Sequence, residues 1–267
     1  MENNKLVLDF YEAYSENERI NRDVLEFVRT KDIILRNLPK NPIKIIDLCG
    51  ASGHYAYWLA EMGHEVHLRD LSPNHIIEAK KNGEKYNAQL ASMRCADARS
   101  LDDDSESFDM VLLMGALYHL QEKEDRLLCL KEVYRILKNG GTAVFSYISR
   151  YSAMLDGFVK GYIYDSLDNN QMDTEILTGK HSNPENKPDN FTTAFFHSTK
   201  DIYEELLYAK FHDIGLYAIE GFGGLINTAE IMNDKVKLEK LLHYLRLTEQ
   251  NSEMIAVSLH QLAVCKK

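Results

Sequence analysis

Between residues 43 and 147, short apolar runs alternate with amphipathic stretches, and this alternation constrains the fold more than any other feature of the chain. Ile43-Lys44-Ile45-Ile46-Asp47-Leu48 reads as a buried strand. After Gly50 and Gly53, Tyr55, Ala56, Trp58, Leu59 and Met62 form the apolar face of a helix that stops at Gly63. Residues 65–69 alternate as a strand, closed by Asp70. Ser72 then serves as an N-cap, and Pro73 sits in the first helical turn. Residues 90–95 form a third strand and residues 108–114 a fourth. Residues 126–137 place Leu127, Leu130, Val133, Tyr134 and Leu137 on one helical stripe. Asn139-Gly140-Gly141 is expected to end that helix in a left-handed turn, and residues 142–147 supply a fifth strand. Strands that alternate with helices pair in parallel through right-handed crossovers, so the expected class is α/β: a Rossmann-like, doubly wound sheet covered on both faces.

The flanks follow other rules. Residues 24–38 predict an amphipathic helix ended by Pro39 and Pro42. Residues 151–198 break the alternation: aromatics (Phe158, Tyr162, Tyr164, Phe191, Phe195, Phe196) surround a polar stretch at 181–190. A helix (200–211), a strand (214–219), a helix (229–247) and a strand (259–264) complete the reading. The 267 residues suit one domain, divided into an N-terminal helical cap (1–40), a core sheet (41–150 and 199–267) and an insertion over a pocket (151–198).

Charge narrows the function classes. Lys and Arg number 31 and Asp and Glu 41, a net charge of −10. That surplus disfavours nucleic acid or an anionic membrane as partner and favours a small molecule. Cys49, Cys95, Cys129 and Cys265 form no C-x-x-C pair and read as thiols in a reducing compartment. The start of the sequence lacks a basic, apolar leader, and the longest apolar run, 110–120, is too short to span a bilayer. A cytoplasmic location is expected, and no metal.

In an open parallel sheet, ligands bind beyond the carboxyl ends of the strands. After the first strand comes Asp47-Leu48-Cys49-Gly50-Ala51-Ser52-Gly53, a small-residue turn that lets backbone approach a ligand. Asp70 follows the second strand, where a carboxylate can accept hydrogen bonds from ribose hydroxyls. Asp97-Ala98 follows the third, and Met114-Gly115-Ala116-Leu117-Tyr118-His119 the fourth. The full G-x-G-x-x-G of a dinucleotide site is absent, which disfavours a nicotinamide oxidoreductase. Asp47 would repel a diphosphate but suits a cationic nucleoside such as S-adenosylmethionine.

These blocks, with Leu68-Arg69-Asp70-Leu71-Ser72-Pro73, Ala96-Asp97-Ala98, Phe108 to Met114 and Leu137-Lys138-Asn139-Gly140-Gly141, resemble class I S-adenosylmethionine-dependent methyltransferases over about residues 43–150. The chain departs from that family's pattern at Cys49 and Ala51, where glycine is usual. Tyr11-Glu12-Ala13-Tyr14 with Arg19, residues 115–120 and Ser258-Leu259-His260 resemble a bacterial small-molecule subgroup. The resemblance implies that the turn bearing Asp47, Cys49, Gly50 and Gly53 holds the methionine moiety, Asp70 the ribose, and Asp97 with Ala98 the adenine. Leu71 would pack on the base, and Met114 would line the sulfonium side. Tyr11, Tyr14 and Arg19 would form a lid.

Methyl transfer from a sulfonium is an in-line displacement that depends mainly on positioning. A protonated acceptor also needs a general base; His119 fits that role, with Tyr118 orienting the acceptor or facing the sulfonium. Each has a structural alternative, a helix-start hydrogen bond for His119 and packing for Tyr118. His197 and His260 read as structural. The aromatic insertion points to an aromatic or apolar acceptor, phenol- or quinone-like. A macromolecular methyltransferase and a non-catalytic S-adenosylmethionine-binding protein remain alternatives.

Overall fold

A computed structural model of the protein describes residues 2–13, 24–164, 170–185, 187 and 191–267. Seven strands form one sheet: β1 (Lys44–Leu48), β2 (Glu65–Asp70), β3 (Ser92–Cys95), β4 (Phe108–Leu113), β5 (Leu137–Ile148), β8 (His212–Ala218) and β9 (His260–Lys266), in the order β3-β2-β1-β4-β5-β9-β8. The first five pair in parallel, as the alternation predicts. β9 runs antiparallel between β5 and β8, so the sheet is mixed. β6 (Lys180–His181) and β7 (Ala194–Phe195) form a separate small hairpin.

Side-chain alternation sorts the core into two layers. Ile46, Leu48, Val111, Leu113 and Phe145 face the short α5 (Ala116–His119) through Leu117 and α6 (Lys123–Ile136) through Leu130 and Val133. Ile45, Val66, Leu68, Met110, Leu112 and Val144 face the opposite way. There they meet Ile33 and Ile34 of α2 (Val24–Asn37), Leu59 of α3 (His54–Glu61) and Ile76 of α4 (Pro73–Gly83). Each such aliphatic side chain contributes about 1.5–3 kcal/mol by leaving water. α2 is also fastened by charge: the fully buried Arg29 donates to the Ile219 carbonyl at 3.1 Å and pairs with Asp32 and Glu249.

Ser72 caps α4 as expected, accepting from the His75 amide, with Pro73 in the first turn. Three boundaries differ from the sequence reading. α6 stops at Ile136, because Leu137 is already extended and pairs with Phe108; Gly140 does adopt φ +75°, but inside the long β5, where the register with β4 shifts. The helix expected over 229–247 is two, α10 (Ala229–Met232) and α11 (Lys235–Thr248), because Asp234 turns its carboxylate onto the Val236 and Lys237 amides. α12 (Ser252–Val257) was not foreseen. The insertion holds α7 (Ser152–Lys160), α8 (Asn170–Thr178) and the β6–β7 hairpin; α9 (Thr199–Tyr208) then returns to the sheet behind a capping box of Ser198 and Asp201. At the other end, α1 (Glu2–Ala13) lies at the carboxyl rim. Among the described residues, no helix is long and apolar enough to cross a membrane.

Candidate active site

The turn after β1 is built on left-handed backbone. φ is +57° at Cys49, +46° at Ala51 and +81° at Gly53. The two departures from the family pattern therefore fall where glycine would relieve strain, and an L-residue there costs roughly 1–2 kcal/mol. Ala51→Gly is expected to hold or raise stability by up to about 1 kcal/mol, the reverse of the usual loss on replacing Ala by Gly. Urea denaturation decides it: a clear loss would mean that the turn is unstrained at 51. Gly50 is held for another reason. A Cβ there would lie 2.4 Å from Leu68 Cδ1 and 2.5 Å from Asp47 Oδ2.

Asp47 is fully buried beneath this turn, where the Ala56 amide faces its carboxylate without making a full hydrogen bond. Burial, reinforced by the charge of Asp70, pushes its carboxyl up to about 8. Burial and the same Asp70 charge also drive the Cys49 thiol well above its ordinary range, so it is a poor nucleophile at neutral pH. Asp70 organises the rim. Its Oδ2 accepts the Ala51 amide at 2.9 Å; its Oδ1 accepts the Ser72 amide at 2.8 Å and lies 3.0 Å from His75 Nδ1. Asp97 accepts from Arg99, side chain and amide. Burial works to raise the Asp97 carboxyl, but Arg99 outweighs it and holds the group below its usual value.

A cleft of about 860 Å3, open water at its mouth included, joins these groups. Of the residues picked from sequence, Tyr11, Cys49, Asp70, Leu71, Asp97, Ala98, Met114, Tyr118 and His119 line it. Asp47, Gly50 and Gly53 are not on its wall; they shape the turn from behind. Tyr14 and Arg19 lie outside the described residues. Sequence reasoning missed Val7 and Leu8, which close the cleft from α1, and His75 and Arg99, which hold the two carboxylates. The N-cap at Ser72 was a usable signal for His75, since it turns the next helical face back toward Asp70.

Aromatic rings build the cleft's far rim. Tyr11 Oη lies 3.0 Å from His119 Nε2, and the rings of Tyr118 and Phe191 pack on His119 with centroids 4.6 and 5.5 Å away, Phe191 in a stacked arrangement. Phe10 of α1 meets Phe191 edge-on. Tyr118 also donates to the Met114 carbonyl. The other two histidines keep structural surroundings. His197 is fully buried between the rings of Tyr147 and Phe195, and burial lowers it against the pull of Glu205. His260 pairs with Glu220, whose carboxylate also accepts the His260 amide. With Glu26, these two bring three donor atoms within 4.8 Å of one another.

Known proteins share parts of this sequence and its fold. The profile of the family described as "Methyltransferase domain" matches residues 46–145. The chain is 30% identical over 129 residues to a glycine/sarcosine N-methyltransferase of Parasynechococcus marenigrum (strain WH8102), covering 47% of this chain and 45% of the relative. It is 24% identical over 193 residues to a glycine/sarcosine/dimethylglycine N-methyltransferase of Actinopolyspora halophila, covering 69% of this chain and 33% of the relative. The chain thus spans less than half the length of these curated relatives. A solved S-adenosylmethionine-dependent methyltransferase from Methanosarcina mazei superposes with a TM-score of 0.59 at 18% identity, over 88% of this chain and 96% of that one. The strand order, the turn after β1 and the matched residues together show that residues 46–145 carry a methyltransferase domain and that the chain has the class I fold.

Proposed function

We propose that the protein moves a methyl group from S-adenosylmethionine to a small acceptor seated against the aromatic rim of Tyr118 and His119. The observation that carries this is one cleft lined both by the strand-end carboxylates Asp70 and Asp97 and by that aromatic rim. The residues fit the cofactor's charge: the carboxylates of Asp70 and Asp97 line the cleft and suit a cation better than a diphosphate.

When bound, S-adenosylmethionine supplies an activated methyl on a sulfonium. Asp70 keeps acceptor capacity on Oδ2 for the ribose hydroxyls. Asp97 and the Ala98 backbone receive the adenine, with Leu71 against its face. Cys49 and the turn from Gly50 to Gly53 receive the methionine moiety over Asp47, and Met114 lines the sulfonium side. Tyr11 covers the cleft as part of a lid. His119 can take an acceptor's proton once Tyr11 Oη yields Nε2. Tyr118 presents a ring face to acceptor or sulfonium.

The rim favours an aromatic or apolar acceptor. Among the described residues lining the cleft, the single Arg or Lys is Arg99, and Asp97 and Asp125 already engage it. A carboxylate-bearing acceptor therefore finds no uncommitted cation on that wall. The names of the relatives favour a second reading, an amine as acceptor. A radiolabelled methyl-transfer screen over phenols, quinols, amines and thiols separates the two; no turnover with any class leaves a cofactor-binding protein. Cofactor placement is tested by calorimetry with S-adenosylhomocysteine. Asp70→Ala is expected to weaken binding more than about tenfold, or about 1.4 kcal/mol, while Asp70→Asn, which keeps an acceptor oxygen, loses less. Unchanged affinity in a folded Asp70→Ala protein ends the ribose assignment.

A further inference from the structure

Phe191 comes from the insertion and stacks on His119, a residue of the cleft wall, from behind, and the chain holds it there by its backbone. Its carbonyl oxygen lies 2.9 Å from His181 Nε2 and also accepts Asn183 Nδ2 at 3.1 Å. His181 is itself fixed from four sides, one of them Gln171, whose Nε2 lies 3.0 Å from the imidazole Nδ1. Its Nδ1 lies 2.6 Å from Glu175 Oε1 of α8, its ring stacks on Phe196 at 5.2 Å, and the Gln121 side chain donates to its own carbonyl at 2.6 Å. Gln121 lies two residues past His119, and the same amide reaches the Ala194 carbonyl. The chain of contacts thus runs Glu175, His181, Phe191 carbonyl, Phe191 ring, His119 ring. Glu175 and His181 are 3% and 6% exposed. Neither lines the cofactor cleft.

A carboxylate beside a buried imidazole that grips one backbone carbonyl is more than packing requires. An apolar pair of similar volume would fill the same space without desolvating a charge. What the polar pair adds is direction: it fixes one carbonyl, hence the φ and ψ that aim the ring at the rim.

We propose that Glu175 and His181 are positioning residues that set Phe191 behind His119 and so fix the His119 face of the acceptor site, which governs specificity. This rests on the methyl-transfer reading for its kinetic consequence, not for its geometry. His181→Ala frees the Phe191 carbonyl from the ring, and His119 loses the fixed backing of the Phe191 ring. The affected quantity is acceptor fit; the cofactor wall, made from the strand ends, is untouched.

Two measurements test this on the full chain. The first needs no turnover: hydrogen exchange of the amides in 191–197, with S-adenosylhomocysteine bound. His181→Ala and Glu175→Ala should speed exchange there about tenfold or more, with S-adenosylhomocysteine affinity within about threefold of wild type. Glu175→Gln, which keeps an oxygen to accept from the ring, should restore slow exchange. The second is kinetic, with whichever phenol or amine the screen returns as best acceptor: His181→Ala should raise its KM about tenfold with kcat within about threefold, and should narrow the preference between large and small acceptors. Unchanged exchange at 191–197 overturns the proposal, as does an equal loss of S-adenosylhomocysteine affinity, which would mark a general structural role. Faster exchange in a protein that methylates nothing upholds the positioning and fails the methyl-transfer reading alone.

Discussion

Replacing Asp47 by Asn should make the protein more stable above neutral pH and less dependent on pH. In the folded chain the Asp47 carboxyl is pushed up to about 8 by burial, with Asp70 adding to it; in the unfolded chain it returns to about 3.9. Between these values the folded state binds more protons, so stability falls as pH rises from about 4 to about 8. At about 1.4 kcal/mol per unit, the full loss is of the order of 5 kcal/mol. Asparagine never ionises. Its amide would leave a buried donor unmet at about 1–3 kcal/mol, so a net gain of a few kcal/mol is expected near pH 8 and none near pH 4. Urea titrations of the ligand-free protein at several pH values check this. Parallel profiles for Asp47→Asn and wild type would mean that the carboxyl is not held protonated.

The second large effect is expected at Arg126. Its guanidinium is 2% exposed and donates through Nε and Nη2 to the buried Glu205, at 2.7 Å for the shortest contact. Its Nη1 donates to the Leu120 and Gln121 carbonyls, both at 2.8 Å, and its plane lies 3.8 Å over the Phe195 ring. Arg126→Ala leaves a buried carboxylate against His197 and strips two carbonyls directly behind His119. A loss of about 3–5 kcal/mol is expected. The paired replacement Arg126→Met with Glu205→Leu removes both charges and should recover most of that loss, since the cost lies in the orphaned charge. Denaturant midpoints at constant m-value decide. If the double variant is as unstable as Arg126→Ala, the pair contributes through the two carbonyls instead.

Both effects arise from residues whose importance the sequence shows unequally. Asp47 was legible because a carboxylate at the end of an apolar strand, before a small-residue turn, has few bland uses. Its isolation beneath the turn was not, since that depends on Gly50 packing against Leu68. The parallel strands were legible as buried apolar runs. β6 and β7 were not, because two-residue strands leave no period to read. Asp70 and Asp97 were placed by strand ends, yet the groups that occupy them, His75 and Arg99, follow from rotamers rather than spacing. Val7 and Leu8 gave no signal at all: an apolar helical face looks the same whether it covers a core or a cleft. Arg126 reads as an ordinary helix-surface charge until the fold brings Glu205 against it from 79 residues away.

The place of β9 has a consequence for how the molecule comes into being. β9 follows β8 in sequence but lies between β8 and β5 in the sheet. As the chain leaves the ribosome, β1 to β5 can assemble from neighbours already made, with contacts of modest span. β8 then emerges without its native neighbour, because the strand that bridges it to β5 has yet to be synthesised. Until then β5 offers an open, apolar edge through Val144 and Phe145, the kind of surface that other nascent chains can template on. Completion of the sheet is therefore a single late insertion, and the interval before it is the stage at which this protein is most exposed to misassembly.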